Sequence, residues 1–151
     1  MNRLMLGSGI FRREGWKTLD CNPAHHADFV AMIPPLPEAV KAIEWDEVEW
    51  IHGITSLYPW DAKIVLAELR KILRPGGGKL ILEQPNFETA RERQEWIFGD
   101  PSHREPLIMN RWAYTPESLF EELQAAKFSK IEVLPAQHHV PERDFRVEAW
   151  R

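Results

Sequence analysis

Residues 3–9, RLMLGSG, decide the fold, because an apolar run breaks there directly into two closely spaced glycines. The run predicts a buried strand over Leu4–Leu6, and glycine lets the backbone approach a ligand where a Cβ would obstruct it. Asp20 closes the next short apolar segment, eleven residues after Gly9. An acid at that place in nucleotide-binding α/β sheets binds ribose hydroxyls, so the pair indicates a nucleotide-type site, with an ordinary glycine turn as the alternative.

The connection between these two segments is short. Only residues 10–16, IFRREGW, follow Gly9 before a second strand that is predicted to end at Leu19. A crossover between parallel strands normally needs a dozen or more residues with a helix inside. We therefore expect the first crossover helix to be missing or reduced to a turn.

The later chain shows helix and strand patterns in alternation. Residues 60–73 predict an amphipathic helix, Pro75 and three glycines end it, and residues 79–83, KLILE, follow as a buried strand. Two closing strands, over residues 131–134 and 145–150, read as an antiparallel pair. These patterns predict an α/β fold: a Rossmann-like, mostly parallel sheet with an antiparallel C-terminal strand pair, in a single domain spanning residues 1–151.

Composition narrows the function classes. The net charge is −4, with acids and bases interspersed, which argues against a nucleic-acid partner. Cys21 is the only cysteine, so no intramolecular disulfide can form, and the histidines show no zinc-ligand spacing. We expect no metal, no signal peptide, no membrane segment and a cytoplasmic location. Exposed edge strands and seven tryptophans are compatible with a homodimer but do not require one.

Two further segments offer functional side chains. A strand predicted over residues 46–52 ends at His52, at the carboxyl edge of the sheet, where a histidine can act as a general base or can be structural. Residues 87–98 predict a second amphipathic helix. Residues 99–114 then form the longest irregular stretch, which we expect to be functional or a lid.

The order of six blocks resembles class I S-adenosylmethionine-dependent methyltransferases, and more narrowly the short members whose first glycine loop passes to strand two through a Gly-Trp turn. The blocks are LMLGSG, GWKTLD, ADFVAMIPPLP, DEVEWIHG, LAELRKILRPGGGKLILEQPN and YTPESLFEELQAAKFSKIEV, and together they span nearly the whole chain. The resemblance implies S-adenosylmethionine as the cofactor and methyl transfer to an acceptor, which we expect to be a small molecule or a saccharide-type compound. The alternative is a catalytically degenerate member that serves as a binding or assembly module.

The resemblance also assigns cofactor-binding positions. The glycine loop would face the methionine part, the acid after strand two would hold the ribose hydroxyls, and the remaining positions would lie along the adenosine or at the reacting centre. This set comprises Gly7, Ser8, Gly9, Asp20, Cys21, Met32 and His52. Two positions depart from the family pattern. Ala31 stands where the family often has an acid near the adenine, and Thr55 and Ser56 replace the last two residues of a His-x-x-Glu-His pattern that begins at His52.

Methyl transfer needs few catalytic groups, because the sulfonium is already activated and a base is required only for a protonated nucleophile. His52 and His103 are the predicted catalytic bases. The substrate side is predicted to be lined by Gln84, Asn86, Arg111 and Tyr114. A nicotinamide dehydrogenase is less compatible with the sequence, because its glycine motif opens a helix for which there is no room after Gly9.

Overall fold

The computed structural model describes residues 1–100, 102 and 109–151. Its strands are β1 (Arg3–Leu6), β2 (Lys17–Asp20), β3 (Phe29–Val30), β4 (Glu47–Ile51), β5 (Lys79–Pro85), β6 (Lys130–Pro135) and β7 (Asp144–Trp150). Across the described residues these strands form one seven-stranded sheet in the order β3-β2-β1-β4-β5-β7-β6. The five strands from β3 to β5 are parallel, and β7 is antiparallel to both β5 and β6. The predicted mostly parallel sheet with an antiparallel C-terminal pair is confirmed.

The helices are α1 (Glu38–Lys41), α2 (Pro59–Ile72), α3 (Phe87–Ala90), α4 (Gln94–Phe98) and α5 (Pro116–Ala125). The helix predicted over residues 60–73 corresponds to α2. The single helix predicted over residues 87–98 is wrong, because Arg93 has an extended backbone (φ −127°, ψ 103°) and separates α3 from α4. None of the helices in the described ranges is long and apolar enough to cross a membrane.

Residues 7–16 join β1 to its parallel neighbour β2 without any helix, as the short connection predicts. Residues 21–28 join β2 to β3 with only a 3-10 turn, Pro23–His25. Both connections would carry helices in a fully covered α/β sheet. One face of the sheet must therefore be covered by other means.

The apolar core lies on one face of the sheet, against α2 and α5. Along β4 and β5, side chains alternate between the two faces, so Val48 and Trp50 share this face with Leu80 and Leu82. All four side chains are at most 2% exposed. The helices supply their apolar stripes to the same core, including Val65, Leu66, Leu69, Leu119 and Leu123.

The opposite face carries buried carboxylates in place of helices. Glu49 forms an ion pair with Arg13 at 2.8 Å, and its other carboxylate oxygen contacts Nε2 of His138. The carboxylate of Glu83 accepts hydrogen bonds from the backbone N–H groups of three consecutive residues, 137–139, at 2.8–2.9 Å. Charge-assisted hydrogen bonds thus hold two connections against this face. One is the connection from β1 to β2, through Arg13, and the other is the connection from β6 to β7, through residues 137–139.

The substitution Glu83→Gln tests this anchoring. The carboxylate is fully buried, and an amide would point an N–H group at backbone donors, so we expect a loss of about 3 kcal/mol in the free energy of unfolding. Urea unfolding monitored by circular dichroism measures the effect. The exposed Glu121→Gln is the control and should change stability by less than about 0.5 kcal/mol. Equal effects from the two substitutions would contradict an anchoring role for Glu83.

Candidate functional site

The carboxyl ends of the parallel strands bring the predicted cofactor residues to one edge. Leu6 of β1 pairs with Leu19 of β2 on one side and with Trp50 of β4 on the other. The Gly7 turn therefore leaves the sheet beside Asp20 and beside the end of β4. This is the edge at which open α/β sheets bind ligands.

Both glycines of the turn adopt left-handed backbone conformations, with φ +59° at Gly7 and +55° at Gly9. Residues other than glycine rarely adopt this conformation. A Cβ added at Gly9 would meet no atom within 4 Å, whereas one at Gly7 would lie 3.7 Å from Nε1 of Trp50. The turn is thus open above Gly9 and rests on the Trp50 indole at Gly7.

Asp20 ties this turn to the end of β2. Its Oδ2 accepts a hydrogen bond from the Gly9 N–H at 2.8 Å, and its Oδ1 accepts from the Asn22 N–H and contacts Nδ1 of His25, both at 2.9 Å. Burial alone would raise the pKa of Asp20, but the hydrogen bonds from Asn22, Gly9 and His25 hold it below its ordinary value. The side chain is an ionised acceptor at neutral pH.

Three further predicted cofactor residues, Ser8, Cys21 and Met32, follow the ends of β1, β2 and β3. Ser8 is buried within the turn, and its N–H, like that of Gly7, faces the carbonyl of Leu19. Cys21 is half-buried directly after Asp20. Met32 is 59% exposed, two residues past the end of β3. The positions of Cys21 and Met32 follow from the parallel pairing of β2 with β3, which puts the ends of both strands side by side.

His52 follows β4 with φ +52°, a left-handed conformation that non-glycine residues rarely adopt and that is enriched at functional sites. Its Nε2 lies 2.5 Å from Oδ2 of Asp144, the first residue of β7. Since an ionised carboxylate only accepts, Nε2 must carry a hydrogen in this contact, and in a neutral imidazole Nδ1 then keeps the lone pair. The contact fixes the orientation of the imidazole ring.

Asp144 is completely buried and is also paired with Arg143, whose Nη2 lies 2.8 Å from Oδ2. Burial would raise the pKa of Asp144, but hydrogen bonds from His52 and Arg143 hold it below its ordinary value. The Asp144 carboxylate therefore stays ionised and can stabilise a positive charge on His52.

His139 stacks on His52, with ring centroids 4.0 Å apart and planes 18° from parallel. Burial, and then the neighbouring His52, lower the pKa of His139 below its ordinary value. Ligand atoms of His52, His139 and Asp144 lie within 4.8 Å of one another, a spacing that could hold a metal ion. The Arg143 guanidinium, however, already donates to Asp144 at this point. That positive charge favours an ion-paired base over a metal centre.

Of the predicted substrate residues that the structure describes, two are buried, Asn86 is half-buried and Arg111 is exposed. Gln84 and Tyr114 are buried, and neither the amide of Gln84 nor the hydroxyl of Tyr114 has a hydrogen-bond partner among the described residues. Burial raises the pKa of Tyr114 strongly. Asn86 caps α3 by accepting from the Glu88 N–H, and Arg111 is exposed with its guanidinium 5.3 Å from the ring centre of Tyr58. Their role in substrate binding stays a prediction, and His103 lies outside the described residues.

Sequence reasoning missed Asp144 and Arg143. They lie about ninety residues after His52, and only the antiparallel pairing of Pro85 with Asp144 brings the start of β7 to the edge where the parallel strands end. The sequence signal that could have indicated this group is Asp144 at the start of the last strand, shortly after His138 and His139.

No protein-family model matches the sequence, and a search of curated proteins finds no match. Solved structures do match. A SAM-dependent methyltransferase from Archaeoglobus fulgidus aligns with a TM-score of 0.72 at 14% identity, covering 99% of this chain and 86% of that chain. A possible histamine N-methyltransferase from Thermotoga maritima aligns with a TM-score of 0.66 at 13% identity, covering 98% and 81%. The glycopeptide N-methyltransferase MtfA, solved with S-adenosyl-L-methionine, aligns with a TM-score of 0.64 at 18% identity, covering 98% and 80%.

These likenesses establish the fold. The chain has the Rossmann-like fold of S-adenosylmethionine-dependent methyltransferases, and the alignments cover almost all of it. The fold-level resemblance in the order of sequence blocks is thereby confirmed.

The lowered pKa of His139 predicts how stability depends on pH. When the pH falls below 6.5, the ordinary pKa of histidine, the unfolded chain binds more protons at His139 than the folded chain does. The free energy of unfolding should therefore fall as the pH decreases from about 7.5 to about 5.5. His139→Gln should reduce this fall, and the exposed His26→Asn should leave it unchanged. Urea titrations at the two pH values test this, and an identical fall in wild type and His139→Gln would contradict it.

Proposed function

We propose that this chain transfers a methyl group from S-adenosylmethionine to a small-molecule acceptor. The observation that carries the proposal is the contact between Asp20 and the Gly9 N–H at the carboxyl ends of β1 and β2. It joins an acid and an open glycine turn at the edge where sheets of this kind bind nucleotides. The names of the matching structures support the same cofactor, since one was solved with S-adenosyl-L-methionine and another, DhpI, with SAH.

The residues at this edge fit the nucleoside part of such a cofactor. A carboxylate offers about four accepting positions. Three of them on Asp20 are used by Gly9, Asn22 and His25, and Oδ2 accepts only from Gly9 among the described residues. One position therefore remains for a ribose hydroxyl. Met32 and Cys21 provide apolar and polarisable contacts for an adenine ring beside it.

S-adenosylmethionine would supply a methyl group already activated on a sulfonium. The chain's own residues then have to orient the acceptor and remove its proton. His52 is placed to accept that proton at Nδ1, because its other ring nitrogen, Nε2, is held by Asp144. Asp144 and Arg143 act through His52, so they are positioning residues.

The acceptor is proposed to be a small molecule. The net charge of −4, with no basic track in the sequence, favours a small acceptor over a nucleic acid. Two proteins with matching structures are named as a glycopeptide N-methyltransferase and a possible histamine N-methyltransferase. These names support a broad acceptor range in proteins of this fold.

A binding or assembly module without turnover is the second candidate. The N–H groups of Gly7, Ser8 and Gly9 are all directed at acceptors within the chain, two at the Leu19 carbonyl and one at Asp20. Since no helix follows the turn, the connection from β1 to β2 adds no helix-terminal N–H groups to bind a ligand. Ala31 also provides no carboxylate for an adenine amino group. These features favour weaker cofactor binding than in a fully equipped site.

Calorimetry with S-adenosylhomocysteine separates the two candidates. We expect saturable binding to the wild-type chain and at least about tenfold weaker binding to Asp20→Asn, because an amide offers a hydroxyl donor a weaker partner than a carboxylate. Asp28→Ala is the matched control. Asp28 bonds to Thr18 and Lys17 at the opposite end of β2, so its loss tests general destabilisation of the same strand.

Absence of binding heat with the folded wild-type chain would reject methyl transfer and leave the binding module. Equal affinity for wild type and Asp20→Asn would place the cofactor elsewhere on the fold. Circular dichroism of each variant confirms that it is folded.

A further inference from the structure

A cavity of about 450 Å³ lies among α3, α4 and the start of α5, and none of its lining residues belongs to the Gly7 turn. Its volume is within the range of about 300–1,000 Å³ that is usual for small-molecule sites. Three aromatic side chains line it, Phe87, Phe98 and Trp112, and each remains 44–53% exposed. Large rings left half in water around one cavity indicate a surface that an apolar, ring-containing ligand would cover.

Among the described residues that line this cavity, one is cationic, Arg111. Its guanidinium lies over the ring of Tyr58, and Nη1 donates to the Ser56 carbonyl at 3.3 Å. Unlike Arg13 and Arg143, it forms no ion pair with a carboxylate of the described residues. A guanidinium fixed at an aromatic cavity and lacking an anionic partner there is suited to a ligand carboxylate.

The cavity wall is attached to the turn that follows His52. The N–H groups of Arg111 and Trp112 both donate to the carbonyl of Thr55, at 2.7 and 3.1 Å. The Thr55 hydroxyl in turn donates to the side chain of Asn110 at 2.7 Å, and Asn110 also lines the cavity. The aromatic cavity is therefore positioned by the same chain segment, residues 52–55, that carries the base.

We infer that the cavity receives the ring system of an aromatic carboxylic acid that carries a hydroxyl group, with Arg111 binding the carboxylate. The inference rests on the proposed methyl transfer, for which this compound is the acceptor. The hydroxyl oxygen of this acceptor would form the new O–C bond with a methyl group supplied by S-adenosylmethionine, whose S–C bond would break to leave a neutral thioether. Nδ1 of His52 would take the hydroxyl proton.

Binding is tested first, without any cofactor. Calorimetry compares naphthoate with naphthamide, which has the same rings but no charge. We expect naphthoate to bind the wild-type chain at least about tenfold more tightly, because the charge-assisted bond to Arg111 is lost with the amide.

Variants then assign the contact. Arg111→Gln should bring the two affinities to within about threefold of each other, and Phe98→Ala should weaken both ligands. Arg91→Gln removes another exposed arginine, close in sequence but outside the cavity lining, and should keep the wild-type preference. Equal binding of naphthoate and naphthamide by wild type, or an unchanged preference in Arg111→Gln, would overturn the inference.

Turnover is tested with hydroxynaphthoate and S-adenosylmethionine, with mass spectrometry of the methoxy product. Product formed by wild type and strongly reduced in Arg111→Gln supports the acceptor class. If S-adenosylhomocysteine binds but naphthoate does not, the acceptor class is wrong and the proposed function stands. If naphthoate binds but S-adenosylhomocysteine does not, the proposed methyl transfer is wrong and the acceptor role is overturned with it.

Discussion

The buried carboxylate of Glu83 is the interaction on which the rest of this structure depends. It lies on the sheet face opposite Leu80 and Leu82 of the apolar core, and it accepts hydrogen bonds from three consecutive backbone N–H groups, those of residues 137–139. These bonds lay the connection between β6 and β7 across the sheet. As a result the ring of His139 stacks on His52, and the chain re-enters the sheet at Asp144, next to the end of β5. The Glu83 carboxylate thus holds residues 137–139 against the sheet and places His139 beside His52.

A second carboxylate, that of Asp20, holds the Gly7 turn in a similar way at the edge of the sheet. Where a longer crossover would place a helix, residues 7–16 make a bare connection, and Asp20 holds it by bonding to the Gly9 N–H. The arrangement leaves an acid beside an open turn, and no helix N-terminus follows that turn to bind an anion. In the proposed function, cofactor affinity comes from the Asp20 carboxylate, and proton removal comes from the separate group around His52.

The sequence alone predicted the type of sheet, mostly parallel with an antiparallel C-terminal pair, and part of the candidate site. Periodic apolar residues, the Pro75 stop and the glycine turn are local signals, so the mostly parallel sheet and α2 could be predicted, and Gly9 and Asp20 could be assigned to one candidate site. The hydrogen bond between Gly9 and Asp20 is seen only in the structure. The group around His52 could not, because Asp144 reaches it only through the antiparallel return of the last strand. The break between α3 and α4 was also missed, since it depends on the backbone of Arg93, whose neighbours all favour a helix.

The central claim, that the turn held by Asp20 is a cofactor site, is tested most directly by a titration of the ¹⁵N-labelled chain with S-adenosylhomocysteine, followed by amide chemical shifts. The amides of Gly9 and Asn22 both donate to Asp20, so they should move most, together with that of Met32. Amides of β6, on the far edge of the sheet, should stay in place. Saturable shifts of this pattern are the predicted result. Shifts confined to β6 and β7, or no shifts at saturating ligand, would contradict the account.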